Sequence, residues 1–394
     1  MNLSGGSPIC PLILKSIRQL QLHPIHRHWK LNKEPLKVWA QVIGLIVVLY
    51  VFLVSIGLLG GAFKLFGNEL AQQLIEMTSN PLVGLFAGIL ATTLAQSSST
   101  TTSIAVGMVA GGALTIEGAI PVIMGANIGT SVTNTLVSMG HITRKEEFKR
   151  ALAGATVHDF FNLLAVLILL PLEIAFGYLQ FIAERMADFF QGVGGMKFSN
   201  PLTAITKPAI SVLIDLLDKN PIACLIVALI IMYISLKFLV DLARGVVVQR
   251  SGAYLNRYLF GAPVVAMLFG MVMTVMVQSS SITTSMIVPL IGAGIITLEQ
   301  VFPFTLGANV GTTVTAMLAA LATGNIAAVT VAFAHLFFNL AGIALVYPLP
   351  PIRKIPLKMA RALAELTSQS RFYAVAYVFL VFYVFPLLLI FLWR

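Results

Sequence analysis

Two stretches of this sequence carry residue types that could do chemistry, Gln96-Ser97-Ser98-Ser99-Thr100-Thr101-Thr102-Ser103 and Gln278-Ser279-Ser280-Ser281-Ile282-Thr283-Thr284-Ser285. Hydroxyls, a carboxamide and backbone N–H groups at the start of a helix suit an oxyanion, because they supply converging donors. Both stretches interrupt apolar sequence of membrane length. Hydrocarbon offers no water to hydroxyls or irregular backbone, so such a break survives only buried in protein or lining a cavity. The two copies are in register: Pro81, Gly88, Gly112, Thr115, Glu117 and Pro121 match Pro263, Gly270, Gly294, Thr297, Glu299 and Pro303 at one constant offset. The chain is an internal duplication, and its two polar breaks imply one shared site.

A second pair of motifs follows, Gly125-Ala126-Asn127-Ile128-Gly129-Thr130-Ser131 and Gly307-Ala308-Asn309-Val310-Gly311-Thr312-Thr313. Read as breaks in helices, they would offer oxygen ligands to a hard, weakly held monovalent cation. Transition metals would want His or Cys, and Ca2+ several carboxylates. The plain alternative is that these hydroxyls bond carbonyls four residues back or hold helices together. Eight consecutive polar residues, duplicated, exceed what that role needs. His158-Asp159-Phe160-Phe161-Asn162 is echoed by His335-Leu336-Phe337-Phe338-Asn339. A histidine beside an aspartate at membrane depth invites a proton-relay reading. Asp159 has no counterpart, however, and the sequence places neither histidine in a polar cluster, so interhelical hydrogen bonding is preferred. No His, Lys or Asp lies within several residues of either serine triplet, which argues against nucleophilic catalysis and against an enzyme.

The elements that must position these residues are membrane helices. The chain is 58% hydrophobic and 10% charged, with a mean hydropathy of +0.93. A membrane barrel would show short alternating segments, whereas 38–61 and 221–240 are long enough to span as helices. The net charge of +10 sits at the ends of apolar segments, which fits membrane topology rather than nucleic acid. Cys10 and Cys224 form no disulfide framework or metal-ligand spacing, and no cleaved signal peptide is expected at the N-terminus.

The expected fold is an all-α polytopic membrane protein with two inverted-topology repeats, each holding a re-entrant helical hairpin and a broken helix, plus a final extra span. Residues 1–37 form a cytoplasmic basic tail with Lys15, Arg18, Arg27, Lys30, Lys33 and Lys37. Repeat 1 covers 38–178 with its hairpin at 81–111, and 179–220 is a linker. Repeat 2 covers 221–350 with its hairpin at 263–293, and 351–394 is a basic loop and terminal span. The hairpin arms are each too short to cross. Three crossings per repeat then invert the second half and gather the basic groups at 1–37, 141–150, 244–257 and 353–361 on one side of a plasma or bacterial inner membrane.

Inverted repeats with broken helices at the midplane point to secondary transport, with half-helix N-termini facing an anion and freed carbonyls coordinating Na+. The doubled Gln-Ser-Ser-Ser, Gly125 to Ser131, and Ala153-Gly154-Ala155-Thr156-Val157-His158-Asp159-Phe160 resemble the type II sodium-dependent phosphate cotransporters. The resemblance covers roughly 81–176 and 263–350. It implies import of inorganic phosphate coupled to sodium ions. It also implies that Ser98, Ser99, Ser280 and Ser281 match the substrate motif and that Gln278, Ser279, Thr312 and Thr315 match sodium positions. With the motif neighbours and repeat partners added, the candidate substrate residues are Ser98, Ser99, Thr100, Ser280, Ser281, Asn127 and Asn309. The candidate sodium residues are Gln96, Gln278, Ser279, Thr130, Thr133, Thr312 and Thr315. A symporter for another small oxyanion, sulfate or a dicarboxylate, is the alternative. Phosphate, sodium and membrane lipids are the expected partners, no cofactor beyond coupling Na+ is expected, and a homodimer stays open.

Overall fold

The computed structural model describes residues 35–192, 201–247 and 259–393. The basic tail before Pro35, linker residues 193–200 and the basic segment holding Arg250 and Arg257 lie outside the described residues. The chain divides into a unit of residues 1–43, described only from the start of its helix at Pro35, and a unit of residues 44–394 that carries everything below.

All regular structure among the described residues is helical, as hydrocarbon surroundings demand of a chain that must satisfy its backbone internally. Helix α1 (Pro35–Phe66) leads into the short amphipathic α2 (Asn68–Thr78). The chain then bends by 100° into α3 (Pro81–Ala95). Asn80 sets that start: its side chain accepts from the Leu82 amide, and Pro81 occupies a first-turn position that needs no donor. After the polar tip comes α4 (Ser98–Gly111), then α5 (Ile116–Gly129) and α6 (Ser131–Ser138), and then the long α7 (Lys145–Phe176). Thr115 caps α5 by accepting from the Gly118 amide, with Glu117 in the first turn.

The second half follows a similar order with several differences. Helices α8 (Tyr178–Phe190), α9 (Pro201–Leu216) and α10 (Pro221–Val247) precede α11 (Pro263–Val277), so the stretch read as a linker contains two helices. The arm after the second tip is split into α12 (Ser280–Ser285) and α13 (Val288–Gly292), whereas α4 runs unbroken. Pro289 stands where the first repeat has Gly107; lacking an N–H, it cannot continue the ladder begun by α12. Helices α14 (Leu298–Thr323), α15 (Ile326–Val346), α16 (Pro350–Gln369), α17 (Arg371–Phe379) and, beyond a π-helical turn at Leu380–Val384, α18 (Phe385–Leu392) complete the chain. The basic stretch after 350, read as a loop, is the helix α16. Six helices among the described residues are long and apolar enough to cross a bilayer; α11 and the α12–α13 arm are shorter apolar helices.

Of the broken helices expected at Asn127 and Asn309, the first is a one-residue interruption and the second is not a break. Thr130, between α5 and α6, keeps helical angles (φ −58°, ψ −31°), and α14 passes through Gly307 to Thr313 without interruption. The glycines serve close approach instead. A Cβ on Gly125 would stand 1.9 Å from the Leu85 carbonyl oxygen, and one on Gly307 would stand 1.8 Å from that of Met267. Gly88 and Gly270 face the Val122 and Phe304 carbonyls at 2.0 and 2.1 Å in the same way. Each hairpin's first arm therefore packs backbone to backbone on the helix that follows, α3 on α5 and α11 on α14, as small residues permit in membranes.

Candidate substrate and cation site

Each polar tip is a two-residue break, not an irregular loop. Gln96 and Gln278 adopt the left-handed conformation (φ 55° and 56°), a rare state outside glycine, and Ser97 and Ser279 follow in extended geometry. Ser97 Oγ accepts from the Thr100 amide at 3.2 Å, and Ser279 Oγ accepts from Ile282 N at 3.4 Å. These two serines are thus helix caps. Ser98, Ser99, Thr100, Ser280 and Ser281 are all buried and form the first turns of α4 and α12. Thr100 Oγ1 donates to Ser97 Oγ at 2.9 Å. Ser99 Oγ donates to the Gln278 carbonyl oxygen at 3.4 Å, so the two tips touch. The hydroxyls of Ser98, Ser280 and Ser281 have no hydrogen-bond partner among the described residues, which leaves three donors gathered around the junction.

Asn134, which the sequence reading passed over, holds the second tip in place. Its Oδ1 accepts from Thr284 Oγ1 at 2.9 Å and from Ser285 Oγ at 2.8 Å, joining α6 of one repeat to α12 of the other. The available signal was a broken repeat, since the matching position at the same offset is Ala316. Ser103 Oγ, which matches Ser285, is correspondingly buried without a partner among the described residues.

The candidate sodium residues divide. Gln278 is fixed twice: Nε2 donates to the Val275 carbonyl at 2.6 Å, and Oε1 accepts from Thr315 Oγ1 at 2.8 Å. Gln96 is exposed and makes no such contact, and its would-be partner Thr133 has a buried Oγ1 with no partner among the described residues. Thr130 and Thr312 donate to carbonyls four residues back, Ala126 and Ala308, at 3.0 and 3.2 Å, leaving only lone pairs outward. Of the four second-repeat candidates, Gln278 and Thr315 are in direct contact, with Ser279 next to the one in the chain and Thr312 three residues before the other; among the described residues the matching pair Gln96 and Thr133 makes no such contact.

Asn127 and Asn309 lie in a buried network shared with the histidines. Asn127 Nδ2 donates to Asn339 Oδ1 at 3.0 Å, and its Oδ1 accepts from His335 Nε2 at 3.1 Å. Asn309 Nδ2 donates to Asn162 Oδ1 at 2.8 Å, and its Oδ1 accepts from His158 Nε2 at 2.5 Å. The arrangement is reciprocal: each repeat's histidine reaches the other repeat's asparagine. Both Nε2 atoms face carboxamide oxygens, which assigns the proton there and lets His158 Nδ1 accept from Ser131 Oγ at 3.0 Å. Among the described residues His335 Nδ1 is buried without a partner, because Thr313, the counterpart of Ser131, donates instead to the Val310 carbonyl. The expectation that neither histidine sits in a polar cluster is therefore overturned, and interhelical hydrogen bonding is what they do. Asp159 Oδ2 accepts from Tyr377 on α17 at 2.9 Å, and its Oδ1 has no partner among the described residues.

A cleft of about 510 Å3 lies elsewhere, lined by Glu146, Lys149, Arg150, Glu299, Arg361 and Glu365. Its charges are largely paired, Lys149 with Glu365 and Arg361 with Glu299, and it does not include the serine tips. Among the described residues, no three His, Cys, Asp or Glu side chains group as a metal site.

A family model described as Na+/Pi-cotransporter matches residues 51–199 and 230–346. The human sodium-dependent phosphate transport protein 2B is 36% identical over 450 residues, covering 88% of this chain and 64% of that protein. The sodium-dependent phosphate transport protein 2A of Ovis aries is 38% identical over 419 residues, covering 86% of this chain and 65% of its own length. That of Mus musculus is 38% identical over 439 residues, with coverages of 91% and 67%. The chain thus spans about two thirds of these curated relatives, and less than that of the first two. No solved structure matches the chain.

Proposed function

The chain belongs to the Na+/Pi-cotransporter family, and on that premise we propose that it is a secondary active transporter importing inorganic phosphate coupled to sodium ions. The observation that carries the reading is the junction of the tips: Ser99 meets the Gln278 carbonyl, with the unpaired hydroxyls of Ser98, Ser280 and Ser281 beside it. Hydroxyl donors and the amide end of the fourteen-residue α4 suit an oxyanion. No Lys or Arg lies within 81–111 or 263–293, so no fixed cation offsets the anion's charge. Bound sodium beside it would do so, with Gln278, Ser279, Thr312 and Thr315 as ligands and Gln96, Thr130 and Thr133 as their weaker counterparts in repeat 1. Ser98, Ser99, Thr100, Ser280 and Ser281 would then hold phosphate, whereas Asn127 and Asn309 would act behind them, their carboxamides being engaged by histidine and asparagine.

The same reading takes the two halves as inverted repeats whose hairpins enter and leave from opposite faces. The matching tip angles and the reciprocal histidine-asparagine bonds support it. It places the transporter in a plasma or bacterial inner membrane with the N-terminus cytoplasmic. Uptake of radiolabelled phosphate into proteoliposomes tests the function. Uptake should require an inward Na+ gradient and be little reduced by excess sulfate; equal uptake with K+ alone would overturn it.

A further inference from the structure

We propose that α16 is a docking surface for anionic phospholipid headgroups. The helix joins two membrane-crossing helices, α15 and the α17–α18 span, and three contacts place it across the ends of others. The Arg353 guanidinium lies 5.2 Å from the Tyr347 ring, at the C-cap of α15. Arg361 pairs with Glu299 in the first turn of α14, and Glu365 pairs with Lys149 near the start of α7. A helix tied at three points to the ends of three crossing helices is held at one end of the bundle.

Its faces are divided accordingly. Leu357, Ala360, Ala364 and Thr367 are buried against the bundle. Ile355, Met359 and Leu366, spaced as one helical stripe, are 40%, 39% and 45% exposed, which suits insertion between headgroups. Lys354 and Lys358 are exposed beside that stripe and have no carboxylate partner among the described residues. Like charges four apart on a helix repel, so their pairing calls for a counter-anion. Other short amphipathic helices carry less positive charge: α2 carries Glu69 and Glu76 with no cation, α8 carries Glu184 and Asp188 against Arg185, and α9 carries Lys207 against Asp215. Cations at the surface attract anionic lipid, and apolar side chains between them hold the helix at the headgroup level.

The test uses the whole protein in nanodiscs of phosphatidylcholine with increasing phosphatidylglycerol, reading amide hydrogen exchange over 350–369. Phosphatidylglycerol should slow exchange there, and raised salt should reverse the effect. In Lys354→Gln, Lys358→Gln and the double variant, the phosphatidylglycerol fraction giving half protection should rise about fivefold per lysine removed. An unchanged melting temperature in phosphatidylcholine shows that each variant folds. Equal protection in both lipid mixtures, full protection in the double variant, or the same protection from inorganic phosphate in phosphatidylcholine alone would each overturn the assignment.

Discussion

The Ser99 hydroxyl donates to the Gln278 carbonyl oxygen across 3.4 Å, from the first turn of α4 to the left-handed tip residue of the other repeat. That length is at the weak limit of a hydrogen bond, so the tips meet without being locked. The reciprocal contact, Ser281 to the Gln96 carbonyl, is absent, and the hydroxyls of Ser98, Ser280 and Ser281 have no partner among the described residues. A ligand entering the junction would exchange one weak bond for several donors.

Ser98→Ala and Ser280→Ala should therefore both raise the phosphate concentration for half-maximal uptake, by about tenfold or more if each loses one hydrogen bond to a charged oxygen. Uptake assays across a phosphate series check this. Normal affinity in either variant would separate the two tips functionally.

Much of this arrangement was legible in the sequence, and the misreadings have physical causes. The duplicated tips announced themselves because eight polar residues in apolar sequence have few homes. Gly125, Gly129, Gly307 and Gly311 misled because glycine serves both breaks and close packing, and only the positions of the Leu85 and Met267 carbonyls decide between them. His158 and His335 looked isolated because their partners, Asn309 and Asn127, lie in the other repeat. Asn134 was invisible as a partner of Thr284 and Ser285 for the same reason.

Gly125→Ala and Gly307→Ala each drive a Cβ into a carbonyl oxygen of a helix that cannot yield locally. Both should lose roughly 1–3 kcal/mol, toward the upper end, as overpacked sites do. Gly140, with open space around its Cβ position, is the control, and Gly140→Ala should be close to neutral. Thermal unfolding in detergent gives the comparison.

His158→Ala leaves the Asn309 carboxamide oxygen without its donor and should cost about 1–3 kcal/mol, the penalty for an unsatisfied buried polar group. His158→Gln can still donate and should fold near normally, with the pH dependence of uptake unchanged. A lost pH dependence in that variant would restore the proton-relay reading.

Glu365 carries a pH signature outside the crossing helices. Its hydrogen bond from Lys149, followed by the Coulombic attraction of the same group, holds its carboxyl below the ordinary range. A depressed folded-state value adds stability that is present above the unfolded value, near 4.5, and is lost as pH falls through the folded one. The melting temperature of the native chain should therefore fall below that pH more than that of Glu365→Gln. Because the pair is exposed, salt should shrink the difference.

Thr315 and Thr133 occupy matching positions with unlike surroundings, which makes them a test of where sodium binds. Thr315 Oγ1 donates to Gln278 Oε1, fixing two oxygens side by side, whereas the Thr133 hydroxyl is buried without a partner and Gln96 turns outward. Thr315→Val removes one oxygen and frees the other, so the Na+ concentration for half-maximal uptake should rise severalfold. Thr133→Val removes a hydroxyl that bonds nothing and should leave sodium activation nearly unchanged while holding or raising the melting temperature. Coupling between ligands is reciprocal, so a sodium ion that offsets phosphate charge must raise phosphate affinity by the factor by which phosphate raises its own. At fixed Na+, Thr315→Val should accordingly lower apparent phosphate affinity as well, and saturating Na+ should recover most of it. Titrating both substrates in both variants decides the matter, and unchanged sodium activation in Thr315→Val would move the cation away from Gln278.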